Sequence, residues 1–276
     1  MKDRNYNNYL AASKVPFRGF RGYLTMKIRF LGTGTSTGNP EILCKCEVCT
    51  STDKRDWRLR SSSLVQVNGR NILIDCGPDF RMQMLQTDVE TLDAVLITHE
   101  HYDHVGGIDD LRPFCKHNPV RLYAEDYVAE AIKQRIPYVF KENKYPGVPN
   151  IELHTIENKP FLINDIEIIP VRLLHGNLPI LGYRIENMAY LTDLKYIPEE
   201  EFDKLKDLDV LIMSALRHKE HISHQTMESA LLNIEKIKPK QAYLIHMSHH
   251  FGLHAAMEKQ MPEKVKIAYD ELELFW

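Results

Sequence analysis

The feature that most constrains this chain is a dense run of metal-ligand side chains placed directly after an apolar strand. Residues 94–98 (AVLIT) have the composition of a buried β-strand and lead straight into the hexapeptide HEHYDH at positions 99–104. Imidazole nitrogens and carboxylate oxygens suit zinc or manganese. A loop that leaves the strand can direct His99 and His101 to one ion while Asp103 and His104 face a second. Histidine is a rare residue, so an ordinary polar loop is a poor alternative, and the segment predicts a two-metal site.

Three more ligand-type residues stand at the ends of later predicted strands. His175, Asp193 and His246 each come just after a short apolar run. A strand exit is where a rigid scaffold presents side chains into a loop. Each residue taken alone has an ordinary alternative, a hydrogen-bonded loop position. Their shared placement favours ligands that complete the metal cage.

The order of predicted elements indicates an α+β fold with a sheet-on-sheet core. Apolar alternating runs flank Asn68-Gly69, a strong signal for a two-residue hairpin turn. Further strands recur to the C-terminus, and helices are predicted at 126–135, 225–236 and 253–259. Many strands with interspersed helices favour two packed sheets that carry helices on their outer faces. No linker-like shift in composition divides residues 26–276, so we expect them to form one domain.

Residues 1–25 differ from the rest because they are polar, basic and rich in Asn and Tyr. We expect a poorly ordered N-terminal extension here. The alternatives are an upstream start codon wrongly included and a basic arm that binds nucleic acid.

The overall composition excludes several classes of protein. With 276 residues, 43% of them hydrophobic, the chain can bury a large core, and its net charge of −3 is unlike that of a nucleic-acid coat protein. No apolar run approaches the ~20 residues needed to span a bilayer, and no secretory signal is recognisable at the N-terminus. We therefore expect a cytoplasmic protein that does not associate with membranes.

The cysteines point to a metal clip. The chain has 5 cysteines, an odd number and a poor disulfide framework, and Cys44, Cys46 and Cys49 crowd into one short segment. Three thiolates need a fourth ligand to complete a closed, tetrahedral structural zinc site. The alternative is three free buried thiols. Cys76 and Cys115 lie in apolar stretches and are expected to be core thiols.

From Lys27 to the C-terminus the chain resembles the metallo-β-lactamase-fold hydrolases. The resemblance rests on THEHYDHVGG at 98–107, on LIDCG at 73–77 and on the ordered later ligands. It implies an αββα sandwich with the site at one edge of the two sheets. It also implies a set of roles: a first metal ion on His99, His101 and His175, a second on Asp103, His104 and His246, a bridging Asp193, and Asp75 as a residue that orients ligands.

The clip and the sequence IHMSHH at 245–250 narrow the resemblance to the phosphoribosyl 1,2-cyclic phosphate phosphodiesterases of phosphonate metabolism. That group combines a CxCxxC clip with an HxxH pair, whose first histidine serves the active site and whose second completes the clip. Carried over, this makes His249 the fourth ligand of the clip, with His250 as a weaker alternative.

His224, just before a predicted helix, corresponds to a histidine that faces the scissile phosphate in the phosphodiesterase branches of the fold. It would be a general acid or a phosphate ligand. The alternative is a surface histidine at a helix N-terminus. His218 and His221 are weaker competitors for the same role.

The implied function is a phosphodiesterase that hydrolyses a small phosphodiester, a phosphoribosyl cyclic phosphate or a nucleotide-like ester. It would use a hydroxide bridging two divalent ions, zinc or manganese, with one structural zinc in the clip. Catalysis would depend on Asp103, Asp193 and His224. Nucleic acid is not an expected substrate, and a homodimer is allowed because the group often dimerises.

Two alternatives stay open. One is a tRNA 3′-processing endonuclease or another hydrolase of the same fold. Such endonucleases typically carry an inserted arm for gripping tRNA, and the sequence has none. The other is a metal-binding sensor or assembly protein without turnover.

Overall fold

The structure is a computed structural model that describes residues 26–276, so the predicted extension at 1–25 lies outside the described residues. Within residues 26–276, fourteen strands build two sheets of seven strands each. In chain order the strands are β1 Lys27–Gly32, β2 Ser62–Val67, β3 Arg70–Ile74, β4 Ala94–Leu96, β5 Val120–Glu125, β6 Ile151–Ile156, β7 Phe161–Ile163, β8 Ile166–His175, β9 Leu178–Ile185, β10 Met188–Leu191, β11 Val210–Ser214, β12 Gln241–Ile245, β13 Val265–Ile267 and β14 Glu273–Phe275.

The two sheets divide the chain almost into halves. The first sheet has the order β14-β1-β2-β3-β4-β5-β6, and the second has the order β13-β12-β11-β10-β9-β8-β7. Only β14 returns from the end of the chain to the first sheet, where it pairs antiparallel with β1. Near the site the neighbouring strands β3 and β4 run parallel, as do β10, β11 and β12. Their carboxyl ends therefore meet at common sheet edges.

Side-chain alternation along the strands creates three apolar layers. In β11, Val210 and Ile212 face a core between the two sheets, while Leu211 and Met213 face the outer side of the second sheet. Because successive side chains of a strand point to opposite faces, one apolar strand serves two layers. A third cluster, which includes Val95, covers the outer side of the first sheet.

Short helices cover the outer faces and complete an αββα sandwich. They are α1 Phe80–Met84, α2 Tyr102–Val105, α3 Asp126–Arg135, α4 Met227–Ile237 and α5 His254–Glu258. Short 3₁₀ segments lie at Lys54–Asp56, Ile108–Cys115, Pro137–Val139, Glu199–Leu205 and His249–Phe251. In the described part of the chain, none of these helices has the length and apolar character required to cross a membrane.

The predicted fold class is confirmed. The hairpin at Asn68-Gly69 joins β2 to β3, and the helix predicted at 126–135 is α3. Gly106 and Gly107 lie between α2, which begins at Tyr102, and the 3₁₀ segment that begins at Ile108. Gly107 leaves no room for a Cβ against the Gly77 carbonyl, so this glycine permits a close crossing of two loops.

Candidate metal centre

The predicted ligands gather where strands of both sheets end. Asp75 follows β3, His175 ends β8, Asp193 lies two residues beyond β10, and His246 follows β12. The backbone of Asp75, Asp193 and His246 is left-handed, with φ of 61°, 56° and 58°. A non-glycine residue in this region carries a cost of about 1–2 kcal/mol. Such strain concentrates at functional sites, where the surrounding structure holds it in place.

The first donor group consists of His99, His101 and His175. The Nε2 atom of His99 lies 3.1 Å from Nδ1 of His101. The ring of His175 is 5.5 Å from that of His99 and 5.1 Å from that of His101. The ligand atoms of all three lie within 4.8 Å of one another. Three imidazoles at this spacing can be shared by one ion of the zinc or manganese type.

The second donor group consists of Asp103, His104, Asp193 and His246, all four buried. The Nε2 atom of His104 lies 3.1 Å from an oxygen of Asp103 and 3.2 Å from Oδ2 of Asp193. The Nε2 atom of His246 lies 3.0 Å from Oδ1 of Asp193. Asp193 therefore turns its two oxygens towards the two imidazoles of this group. Its carboxylate also lies within 4.8 Å of the ligand atoms of His175 and His224, so it stands between the first and second donor groups.

Asp75 fixes the orientation of His104 from behind. Its Oδ2 atom accepts a hydrogen bond from His104 Nδ1 at 2.7 Å, and its Oδ1 atom accepts one from the Thr98 amide at 2.8 Å. This fixes Nδ1 as the protonated nitrogen of the neutral ring, which is the form that can offer the Nε2 lone pair to an ion in the second donor group. A carboxylate behind a ligating histidine is the usual way to set its tautomer.

His175 is oriented by backbone carbonyls. Its Nδ1 atom donates to the carbonyl of Asp193 at 2.7 Å and to that of Ser223 at 3.0 Å. Its Nε2 atom is thereby left free to act as a metal ligand in the first group. Both supporting groups are peptide oxygens, which every residue carries, so the sequence cannot identify them.

Buried polar atoms without partners indicate that these groups are built for ions. Among the described residues, Nδ1 of His246 and Nδ1 of His224 are buried without a hydrogen-bond partner. Nε2 of His104 and of His246 meet only the carboxylates of the second group, and not with hydrogen-bond geometry. An unpaired buried polar atom is costly, and native proteins rarely leave one without a reason. The donor types also suit zinc or manganese, so the residues present fit a divalent metal pair.

Opposite charges dominate the electrostatics of the second group. Burial opposes ionisation of Asp103 and Asp193, but the neighbouring imidazoles of His104 and His246 outweigh it and hold both carboxyl pKa values low. Burial likewise disfavours the charged form of His246, but the two carboxylates raise its pKa to about 9. In the metal-free protein His246 therefore holds a proton that a bound cation would displace.

His224 stands at the edge of both groups. Its Nδ1 atom is 3.8 Å from Oδ1 of Asp193, and its ring lies 4.5 Å from that of His175 and 5.1 Å from that of His246. Its side chain is 12% exposed, so one side of the ring faces the opening of the site. Burial lowers its pKa to about 3, and the imidazole is neutral near pH 7.

The clip residues also meet. The Nδ1 atom of His249 lies 3.2 Å from Sγ of Cys44 and 3.3 Å from Sγ of Cys46, and Cys49 completes a group whose donors lie within 4.8 Å. His250 is not part of this group. Although burial opposes it, hydrogen bonds from the Cys49 amide and His249 lower the pKa of Cys46 to about 6. Three sulfurs and one imidazole nitrogen fit a closed tetrahedral zinc site.

The sequence predicted a set of donor residues and the orienting role of Asp75, but not the other groups that hold the donors in place. The structure brings together every residue predicted as a ligand, in the predicted groups. Thr98, which links Asp75 to His99 through its hydroxyl, was not singled out, nor was the Ser223 carbonyl. The position of Thr98 between the strand and the first histidine was the one available signal for it.

Comparisons with known proteins agree with this architecture. Residues 70–247 match the family described as a beta-lactamase superfamily domain. A solved structure of a diphosphatase from the PhnP family is 37% identical, with a TM-score of 0.86 over 92% of this chain and 98% of that one.

Two curated proteins add context. The chain is 48% identical over 251 residues to an octanoyltransferase of Porphyromonas gingivalis and 24% identical over 197 residues to a ribonuclease Z of Methanococcus maripaludis. These matches cover 90% and 68% of this chain but only 51% and 55% of those proteins. The chain thus spans about half the length of these curated relatives. The name octanoyltransferase belongs to the whole longer protein and assigns no activity to the matched half.

Proposed function

The chain belongs to the beta-lactamase superfamily and, within it, to the PhnP family, and on this premise we propose that it hydrolyses a small phosphodiester. The proposal places two divalent ions, zinc or manganese, in the two donor groups. The observation that carries it is Asp193, whose carboxylate contacts both imidazoles of the second group and also lies within 4.8 Å of His175 of the first group. His224 stands beside it at the open edge.

The residues divide the work as follows. One ion would be held by His99, His101 and His175. The other would be held by Asp103, His104 and His246, and Asp193 would bind both. When bound, the ions would lower the pKa of a water molecule at the site and compensate the charge of the phosphoryl oxygens. Asp75 and the carbonyls behind His175 keep the ligating nitrogens aimed inwards. These supports matter because a loose ligand shell costs both metal affinity and rate.

His224 would act on the substrate and not on the ions. Its imidazole is neutral, since burial depresses its pKa to about 3. A neutral imidazole can donate one hydrogen bond to a phosphoryl oxygen, and such donors gain strength in a site that excludes water. We therefore assign His224 as a phosphate-binding donor in preference to a general acid.

The clip would serve structure and not turnover. A zinc ion on Cys44, Cys46, Cys49 and His249 would join the segment before β2 to the segment after β12. His249 lies three residues beyond His246, so the clip would secure the strand end that carries a ligand of the second ion. Metal content in the clip would then be coupled to folding.

A diphosphate ester is the second candidate substrate, because the PhnP-family structure at 37% identity is a diphosphatase. A tRNA precursor is less favoured, since the described residues carry no long inserted arm beyond the two sheets and their helices. A sensor or assembly protein without turnover is the remaining alternative, and it would tolerate the loss of His224.

The deciding experiment is a substrate comparison with protein loaded with zinc or manganese. It would compare bis-p-nitrophenyl phosphate, a ribose cyclic phosphate, a nucleoside diphosphate ester and a tRNA precursor. We expect turnover of the first two and a loss of about 100-fold or more in His224→Ala. Faster cleavage of the diphosphate ester would select the second candidate. Loaded protein that hydrolyses none of the four would refute the proposal.

A further inference from the structure

A second imidazole stands beside His224, and the proposed mechanism does not use it. The ring of His221 lies 4.9 Å from that of His224, at an angle of 49°. Between them Ile222 projects into solvent and is 88% exposed. The intervening backbone is tied to the metal centre, because the Ser223 carbonyl accepts hydrogen bonds from the Gly176 amide and from His175 Nδ1. His221 is thus held at the rim of the same opening.

The main chain around His221 is fixed in place. Its carbonyl accepts a hydrogen bond from Nζ of Lys195 at 2.9 Å. On the preceding turn, Arg217 donates to the carbonyls of Lys219 and Glu220 at 3.1 and 2.9 Å. A side chain on such a braced turn loses little freedom when it binds a ligand, which favours binding.

The hydrogen bonds of His221 also fix its tautomer. The Ser223 backbone N–H donates to Nδ1 of His221 at 3.3 Å, and a backbone N–H can only donate. In the neutral ring Nδ1 is therefore the acceptor, and the proton sits on Nε2. Within the described part of the chain, the hydrogen bonds of the His221 ring are made at Nδ1 and none involves Nε2–H.

His218 on the same turn shows the contrast. Its Nε2 atom is used within the protein, 2.9 Å from the carbonyl of Phe251, and its ring stacks on the Phe251 ring. His218 therefore faces away from the metal centre and braces the turn. His221 keeps its donor free. Burial and the nearby Arg217 lower its pKa, so it stays neutral at pH 7.

We propose that His221 is a second substrate-binding residue, whose Nε2–H donates a hydrogen bond to an oxygen of the phosphodiester held at the metal centre. This inference rests on the proposed function. The acceptor is a phosphoryl oxygen or a hydroxyl of the attached sugar, and both present the same lone pair to the ring. His221 and His224 would then bind the substrate through two neutral hydrogen-bond donors on one side of the metal pair.

The main test compares three variants of the metal-loaded protein. His221→Leu removes the donor, His221→Gln places an amide N–H near the position of Nε2, and His218→Leu controls for disturbance of the turn. We expect kcat/KM to fall about 10- to 100-fold in His221→Leu, the worth of a hydrogen bond to a charged group. Most of the loss should return in His221→Gln, and His218→Leu should stay within a few-fold of wild type.

Two substrates distinguish the acceptor. A loss with both bis-p-nitrophenyl phosphate and a ribose cyclic phosphate places the bond on the phosphoryl group. A loss confined to the ribose ester places it on the sugar. Wild-type rates in His221→Leu with both substrates would overturn the inference, as would a His221→Gln variant no better than His221→Leu. Failure of the proposed function looks different, because the wild type itself would then be inactive.

An independent measurement needs no turnover. Two-bond ¹⁵N–¹H correlations of labelled histidine report which ring nitrogen carries the proton. We expect His221 to be the Nε2–H tautomer and its signals to move when inorganic phosphate or a ribose phosphate is added to the loaded protein. A proton on Nδ1, or signals unmoved by both ligands, would contradict the assignment.

Discussion

Replacing Asp75 by asparagine tests how far the metal centre depends on a residue that would touch no metal. The carboxylate accepts from the Thr98 amide with one oxygen and from His104 Nδ1 with the other. An amide of the same size has one oxygen, so it must present N–H to one of these two donors. The cheaper response is for His104 to move its proton from Nδ1 to Nε2, since the Thr98 amide cannot change. The ligating lone pair is then lost.

We expect Asp75→Asn to weaken mainly the binding of the second ion. Removing the group that orients a ligating histidine typically weakens metal binding about 10- to 100-fold. That corresponds to roughly 1.4–2.7 kcal/mol. The first ion keeps His175, whose support comes from the carbonyls of Asp193 and Ser223. Asp75→Asn should therefore lower the affinity for the second ion and leave the affinity for the first ion nearly unchanged. The isosteric side chain should leave the fold intact.

Competition with a metal chelator measures both affinities, and circular dichroism checks the fold. Asp79→Asn is a matched control, because the Asp79 carboxylate accepts hydrogen bonds from the amide and the guanidinium of Arg60, both at 2.8 Å. We expect one weakened ion in Asp75→Asn and none in Asp79→Asn. If Asp75→Asn bound both ions as tightly as the wild type, the tautomer argument would be wrong.

Three further predictions concern the ligands and the clip. Asp103→Ala should abolish turnover while far-ultraviolet circular dichroism stays unchanged; substantial residual kcat would show that Asp103 is dispensable. Cys46→Ser should lower thermal stability and reduce the metal content, measured by elemental analysis, from three ions per chain to two. Two ions per chain in both the wild type and the variant would contradict the clip assignment. The metal-free protein should lose stability as pH rises from about 6.5 to about 9. Burial opposes the charged form of His246, but Asp193 and Asp103 outweigh it and raise its pKa to about 9 in the folded state. The folded protein therefore binds a proton that the unfolded chain releases near pH 6.5, and the stability this gives is lost as the pH approaches 9. Thermal unfolding in chelator over that range checks the sign, and a stability that rises with pH would contradict it.

The grouping of the candidate ligands was predictable because the sequence signal for them is local. His99, His101, Asp103 and His104 are contiguous, and an apolar strand immediately precedes them. The later ligands were found by one rule, a ligand-type residue at a strand exit. The strands themselves follow from period-two alternation, which depends only on neighbours in the sequence.

What the sequence could not predict depends on contacts between distant segments. The resemblance implied that Asp75 orients ligands, but its specific pairing with His104, across 29 positions, is seen only in the structure, as is the pairing of His175 with the Ser223 carbonyl across 48. Peptide oxygens carry no residue-type signal at all. The free donor of His221 was also hidden, because it follows from the Ser223 amide and from the packing of one turn. His221 consequently ranked below His224 in the sequence, although the structure places the two rings side by side.

The division of the ligands between the two sheets has a consequence for how the protein folds. Segments after strands of the first sheet supply His99 to His104, and the second sheet supplies His175, Asp193 and His246. Among the described residues neither half of the chain holds a complete donor group, so an ion that needs either group would be bound tightly only after the halves dock. Contacts between such distant segments form slowly. In a refolding experiment, metal uptake should therefore lag behind strand formation and report the moment at which the two sheets come together.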